Sequence, residues 1–261
     1  MVTLKIFGNT SSQKALVLLH AFPLSSEMYR DVITLFESSL PSHQIILVNL
    51  PGFGGTPELK NWTLAEVMAD LHSQLIAIGI TSSVLCGVSM GGYTAFAYYK
   101  QFPSEVSALI LSNTKAEADN EEGKANREKI AKDVEEKGYE PIYNGMMLKL
   151  IGKSASINNP TLINTVKSMI ASQPLVAISE ASRAMGKRQD STDLLEKITI
   201  PTLVIAGTED ELIPETIMKV MSEKIPDAIY SPMPQHGHLC VIEDPATWSN
   251  IIINFLININ A

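Results

Sequence analysis

Short apolar runs alternate with amphipathic stretches along most of the chain. The runs at residues 15–20, 45–50, 84–88, 108–112, 202–207 and 228–233 are too short for ordinary helices, and most are rich in Val, Ile and Leu. Continuous apolar runs of that length predict strands buried on both faces. A further strand is expected at 2–7. Helical spacing appears between them at 28–38, 64–78, 90–101 and 214–224, and again at 245–256, where Pro245 opens the first turn. Strand alternating with helix predicts an α/β fold with a mostly parallel, doubly wound sheet.

Residues 116–186 break that alternation. They open with the charged stretch AEADNEEGKANREKIAKDVEEKG and continue with Met-bearing amphipathic segments at 146–151, 162–170 and 175–185. Several helices inserted between two strands are expected, with the mixed charges on a solvated face. The domain reading is therefore a core of 1–115 and 187–261 with a helical insertion at 116–186. That insertion is placed to cover the carboxyl edge of the sheet, where open α/β sheets bind ligands.

Charge narrows the partners. Lys and Arg total 20 against 28 Asp and Glu, a formal net charge of -8. Such a chain repels phosphate backbones, and no basic run offers a local exception, so nucleic-acid binding is not expected. No segment approaches the roughly 18 apolar residues of a membrane span, and the start MVTLKIFGNTSSQK lacks the apolar segment of a signal peptide. Cys86 and Cys240 form no disulfide framework or zinc signature. The expectation is a cytoplasmic globular protein with no metal and no cofactor, acting on a small molecule.

The chemistry concentrates at Gly87-Val88-Ser89-Met90-Gly91, where an apolar run meets a helix-like one. A serine between glycines at a strand-to-helix junction sits on a turn too tight for side chains on either flank, which lifts its hydroxyl clear of the sheet. A serine hydroxyl needs a base. Of five histidines, His43 and His72 fall in a polar loop and a helix, and His20 closes a strand in a run that suggests loop-shaping. His236 and His238 follow the last strand, and His238 is preferred because it follows a glycine and precedes the final helix. An acid must then hold the imidazole. Asp210 is best placed after the run 202–207, with Glu209 and Glu211 as alternatives.

Serine, then acid, then histidine along such a chain resembles the α/β-hydrolase fold over essentially its whole length. His20-Ala21-Phe22-Pro23-Leu24-Ser25 is similar to the family's oxyanion loop, with Ala21 where a glycine is usual. Asn49-Leu50-Pro51-Gly52-Phe53-Gly54-Gly55-Thr56 is similar to another family loop, with Asn49 in place of an aspartate. The resemblance implies a Ser89–His238–Asp210 triad, an oxyanion hole from the backbone N–H groups of Phe22 and Met90, and a cap formed by the inserted helices. Hydrolysis of small carboxylic esters through an acyl-serine intermediate is the expected activity. The segment 112–119 resembles the start of the cap in 3-oxoadipate enol-lactonases, so a lactonase is the alternative; the loop 20–25 also resembles cofactor-free haloperoxidases. A ligand receptor with slow turnover would carry the same residues, and a non-catalytic scaffold is the remaining reading. His20, Met146, Met169 and Met185 are the expected pocket residues, with Met147 as a further candidate. A carboxylate-bearing lactone would need a cation; Arg183 and Arg188, near the return of the inserted helices to the core, are candidates for it, with a structural ion pair as the favoured role for both.

Overall fold

The computed structural model describes residues 1–260. Among them, seven strands form one sheet in the spatial order β1-β3-β2-β4-β5-β6-β7. These are β1 (Thr3–Gly8), β2 (Lys14–Leu19), β3 (Gln44–Asn49), β4 (Ser82–Val88), β5 (Val106–Ser112), β6 (Thr202–Gly207) and β7 (Ile229–Met233). β1 runs antiparallel to β3, with Thr3 opposite Asn49, and every other neighbouring pair is parallel. The central strands are buried almost throughout, as their uninterrupted apolar runs require. β7 is half-exposed and carries Pro232, which an edge strand tolerates because one side of its ladder is unpaired.

The helices are built from local signals. The stretch expected as one helix at 28–38 divides into a 3₁₀ segment, Ser26–Val32, and α1 (Ile33–Ser39). α2 (Leu64–Ala77) opens on a capping box in which Thr63 and Glu66 satisfy each other's backbone N–H. α3 (Met90–Gln101) follows β4 directly. Between β5 and β6 come α4 (Glu121–Lys137), α5 (Glu140–Gly145), α6 (Met147–Leu150), α7 (Lys153–Asn158), α8 (Thr161–Ala171), α9 (Leu175–Gly186) and α10 (Thr192–Leu195). The charged run becomes α4, capped by Asn120 and burying Ala131 and Val134 where it packs on α9. The chain ends with α11 (Glu215–Lys224), α12 (Cys240–Glu243) and α13 (Pro245–Asn258).

Two features position the site. β3 lies on one side of β2 and β4 on the other, so the loops leaving β2 and β4 part at a topological switch point. Trp248 on α13 is wholly buried, 6.1 Å from Tyr29 and 6.2 Å from Phe36 between ring centres. Its indole N–H donates to Ser112 Oγ at 3.2 Å, which ties the last helix to the end of β5. Burying such a ring with its N–H satisfied stabilises the fold by roughly 2–3 kcal/mol.

Candidate active site

Ser89 stands where β4 ends and α3 begins, with φ +54° and ψ -113°. A positive φ is strained for a side-chain-bearing residue, so its surroundings must hold it. They do so at the flanking glycines. A Cβ on Gly87 would lie 2.3 Å from Gly91 O, and a Cβ on Gly91 would lie 1.9 Å from Leu19 O. Ser89 N donates to Ser112 O at 3.0 Å, and Thr114 Oγ1 donates to Ser89 O at 2.8 Å. Met90, the next residue, begins α3, where N–H groups lack intrahelical partners and favour negative charge.

His238 and Asp210 meet in the interior, Nδ1 to Oδ2 at 2.7 Å, their side chains 2% and 0% exposed. Oδ2 also accepts from Asn113 Nδ2 at 3.1 Å, while Oδ1 accepts from Leu212 N and Ile213 N at 2.8 and 2.9 Å. Burial pushes the Asp210 carboxyl up, but the imidazolium charge of His238 and these hydrogen bonds outweigh it and hold the group below its ordinary range. An ionised Asp210 fixes the proton of neutral His238 on Nδ1 and leaves Nε2 as an acceptor. Glu209 is taken up by Ser154 N and Oγ at 2.7 and 2.5 Å, and Glu211 is exposed. His236 turns Nδ1 to Pro234 O at 2.7 Å, with Nε2 3.8 Å from Asp244. The histidine loop is fastened from below by Glu243, whose carboxylate accepts from Gly237 N at 2.8 Å and from Gly152 N and Leu239 N at 3.3 Å.

Ser89 and His238 line one cavity of about 120 Å³. Phe22, Met146, Met185, Leu212 and Ile213 supply its apolar wall, with Tyr93, Lys115 and Arg127 on the remaining side. Met146 and Met185 therefore reach the cavity, whereas Met169 and Met147 do not. Met169 is buried on α8 beside an outer groove shared with Arg30 and Glu27, and Met147 packs into the core.

His20 also lies outside the cavity. It is fully buried, Nε2 accepting from Leu50 N at 3.2 Å and Nδ1 facing Ala21 O at 3.0 Å, with its ring 5.1 Å from Phe53. Burial brings its pKa down to about 4, the contact to Ala21 O offsetting only part. Asn49 shapes the same region, its Oδ1 accepting from Ser26 N at 2.8 Å.

Arg183 and Arg188 are both held in structural ion pairs, the favoured of the two roles read for them, and neither lines the cavity. Arg183 is consumed by Glu128, Glu135 and Glu180 at 3.1, 2.6 and 3.2 Å. Arg188 is buried against Asp119 at 2.8 Å and stacks 4.2 Å above Tyr93. Lys115 and Arg127 face the cavity instead. Both approach Asp119, at 3.9 and 3.0 Å, so one carboxylate is shared among three cations. Burial pushes the Asp119 carboxyl up, but Arg188 and Arg127 bring it down to about 2. Cys86 and Cys240 are buried free thiols, both pushed up by burial and thus unreactive. Among the described residues no cluster of His, Cys, Asp or Glu could hold a metal ion, and no helix is long and apolar enough to cross a membrane.

The profile of the alpha/beta hydrolase fold family matches residues 14–145, just over half of the sequence. The chain belongs to the α/β-hydrolase family. It is 26% identical over 214 residues to 3-oxoadipate enol-lactonase 1 of Acinetobacter baylyi, covering 82% of this chain and 79% of that one. It is 23% identical over 233 residues to RutD of Escherichia coli, a candidate carbamate hydrolase, covering 82% and 81%. A thermophilic esterase from Thermogutta terrifontis, solved with malate bound, superimposes with a TM-score of 0.92 at 30% identity, covering 100% of this chain and 94% of that one. The protein is a hydrolase of this family.

Proposed function

We propose that the hydrolase cleaves small carboxylic esters through an acyl-serine intermediate. One observation carries the reading: Ser89, on its strained turn, and His238, held by Asp210, open into the same cavity. In acylation Nε2 of His238 takes the Ser89 proton as Oγ attacks the ester carbonyl, and the same proton leaves with the alcohol. Water then attacks the acyl-enzyme with His238 again as base. The negative oxygen of each tetrahedral intermediate is received by the backbone N–H groups of Phe22 and Met90. One such donor is worth about 10²–10³ in rate. Residues 116–186 act as a cap over the core of 1–115 and 187–261. A cavity of about 120 Å³ is smaller than an engineered one of about 150 Å³ that binds benzene, so acyl chains of up to about four carbons are favoured.

A lactone or ester that itself carries a carboxylate is the second reading. It is favoured by Lys115 and Arg127 on the cavity wall, both leaning on an Asp119 already committed to Arg188. The enol-lactonase relative agrees with it.

Steady-state hydrolysis of p-nitrophenyl esters from acetate to octanoate tests the main reading. Multiple turnover with a short-chain optimum is expected, lost by several orders of magnitude in Ser89→Ala and His238→Ala but nearly intact in His236→Ala. A stoichiometric burst without turnover would favour a receptor, and activity surviving Ser89→Ala would place the chemistry elsewhere.

A further inference from the structure

A second cleft, of about 440 Å³, plays no part in this chemistry. Its floor is built by α2 and α3 from Leu64, Tyr93, Phe96 and Ala97. Its other side is formed by both crossings between the sheet and the inserted helices: Lys115 and Ala116 on the way out, and residues 187–189 and 191 on the return. Four of the lining residues are cations, Lys100, Lys115, Lys187 and Arg188, and none is a carboxylate, in a chain of net charge -8.

Of the nearby acids, Glu117 sits just beyond Ala116 with its Oε2 buried and unpartnered and acts on Lys115, and the others are already engaged. Asp119 serves Arg127 and Arg188, Glu66 holds Thr63, and Asp190 accepts from Ala118 N and Thr192 N at 2.8 Å. Lys100 donates to the neutral Oε1 of Gln189 at 2.7 Å, and Lys187 is exposed at the rim. Arg188 Nε, though buried, has no hydrogen-bond partner. The cleft thus offers an apolar floor under surplus positive charge. Its volume lies within the range of about 300–1,000 Å³ usual for small-molecule sites.

We infer that this cleft binds an amphipathic carboxylate, a carboxyl group on a short or flat apolar body, and that its occupancy alters turnover at Ser89. The apolar body leaves water against Ala97 and the exposed edges of Leu64 and Tyr93 while the carboxylate meets the lysines at the rim. Tyr93 and Lys115 also line the catalytic cavity, so the two spaces share a wall. The acids released by ester hydrolysis belong to this chemical class. The rate effect rests on the proposed esterase reading; the binding does not.

Benzoate is the probe. Its binding to Ser89→Ala protein, followed by equilibrium dialysis, should be saturable. It should weaken about tenfold when Lys100→Glu and Lys187→Glu are combined, since two attractions become repulsions. Ala97→Trp, which fills the floor without touching charge, should weaken it likewise. In the wild type, benzoate should change kcat at saturating neutral ester, and the charge-reversed protein should lose that response while keeping its basal kcat/KM. Binding unchanged in both variants, or purely competitive inhibition, would overturn the cleft assignment. Benzoate binding that follows the variants in a protein with no esterase activity would sink the esterase reading and leave the cleft standing.

Discussion

Asn113 Nδ2 lies 3.1 Å from Asp210 Oδ2, the same oxygen that faces His238 Nδ1 at 2.7 Å. Its second N–H donates to Gly237 O at 3.0 Å, so one amide clasps both the acid and the loop that carries the base. Asn113 also sits at φ +49°, a conformation asparagine adopts more readily than most residues. Asn113→Ala should lower kcat about tenfold with little change in KM, as expected when a positioning hydrogen bond of about 1–1.5 kcal/mol is lost. Full activity in a folded Asn113→Ala protein would show that Asp210 needs no such support.

Much of this arrangement was legible in the sequence, for identifiable reasons. Apolar runs such as 45–50 and 202–207 read as strands because strands covered on both faces leave no room for polar alternation. Ser89 was legible because its turn tolerates only glycine at Gly87 and Gly91, which leaves a signature in the residues themselves. Asn113, Thr114 and Glu243 were not. Asn113 and Thr114 act through contacts between segments far apart in the chain, as does Glu243 where it holds Gly152 N, and a hydrogen bond of that kind leaves no spacing to read. The available signals were position, since Asn113 and Thr114 directly follow a core strand, and the resemblance of the segment 112–119 to a family cap, neither of which names their partners. The cations that do face the cavity were hidden for the same reason: Arg183 and Lys115 each read only as a cation, and only the fold commits Arg183 to Glu128, Glu135 and Glu180 and leaves Lys115 on the cavity wall.

Lys115 is the sharpest test of substrate charge. Its side chain is 24% exposed, and its nearest carboxylate, Asp119 at 3.9 Å, is held more closely by Arg127 and Arg188. Burial and the charge of Arg188 lower its proton affinity, partly offset by Asp119 and Glu117, so a substrate carboxylate would relieve an unfavourable environment. For a p-nitrophenyl half-ester of succinate, Lys115→Met should lose about tenfold in kcat/KM, while p-nitrophenyl butyrate changes by less than about twofold. Equal losses on both esters would assign Lys115 to structure rather than to recognition.

Gly91 should resist substitution where Gly145 does not. A Cβ on Gly91 meets backbone, Leu19 O at 1.9 Å and Leu19 C at 2.6 Å, and neither can yield without moving β2. Gly91→Ala should therefore destabilise by at least about 3 kcal/mol in urea unfolding, the upper end for an overpacked interior. Gly145, at the end of α5, has nothing within 4 Å of such a Cβ, and Gly145→Ala should be neutral or stabilising by up to about 1 kcal/mol. Comparable unfolding midpoints for the two variants would contradict the packing of the turn around Ser89.

His20 makes fold stability depend on pH in a defined window. Its neutral ring is satisfied at both nitrogens, Nδ1–H donating to Ala21 O and Nε2 accepting from Leu50 N. A second proton would oppose the Leu50 N–H in a fully buried site, and burial accordingly lowers the pKa from 6.5 to about 4. Between those values the unfolded chain binds the proton and the folded chain does not. The stabilisation is thus complete above about pH 6.5 and is lost as pH falls toward 4. Lowering the pH from 7 to 5 should cost the wild type about 2 kcal/mol through this residue. His20→Gln keeps a neutral donor and acceptor without a titrating group, so its unfolding free energy should fall by about 2 kcal/mol less over the same interval. The lowered carboxyls of Asp210 and Asp119 remain ionised in both states at pH 5, and His43, whose pKa burial also lowers, is common to both proteins. Parallel pH dependence of the two proteins between 7 and 5 would mean that His20 is protonated within the fold.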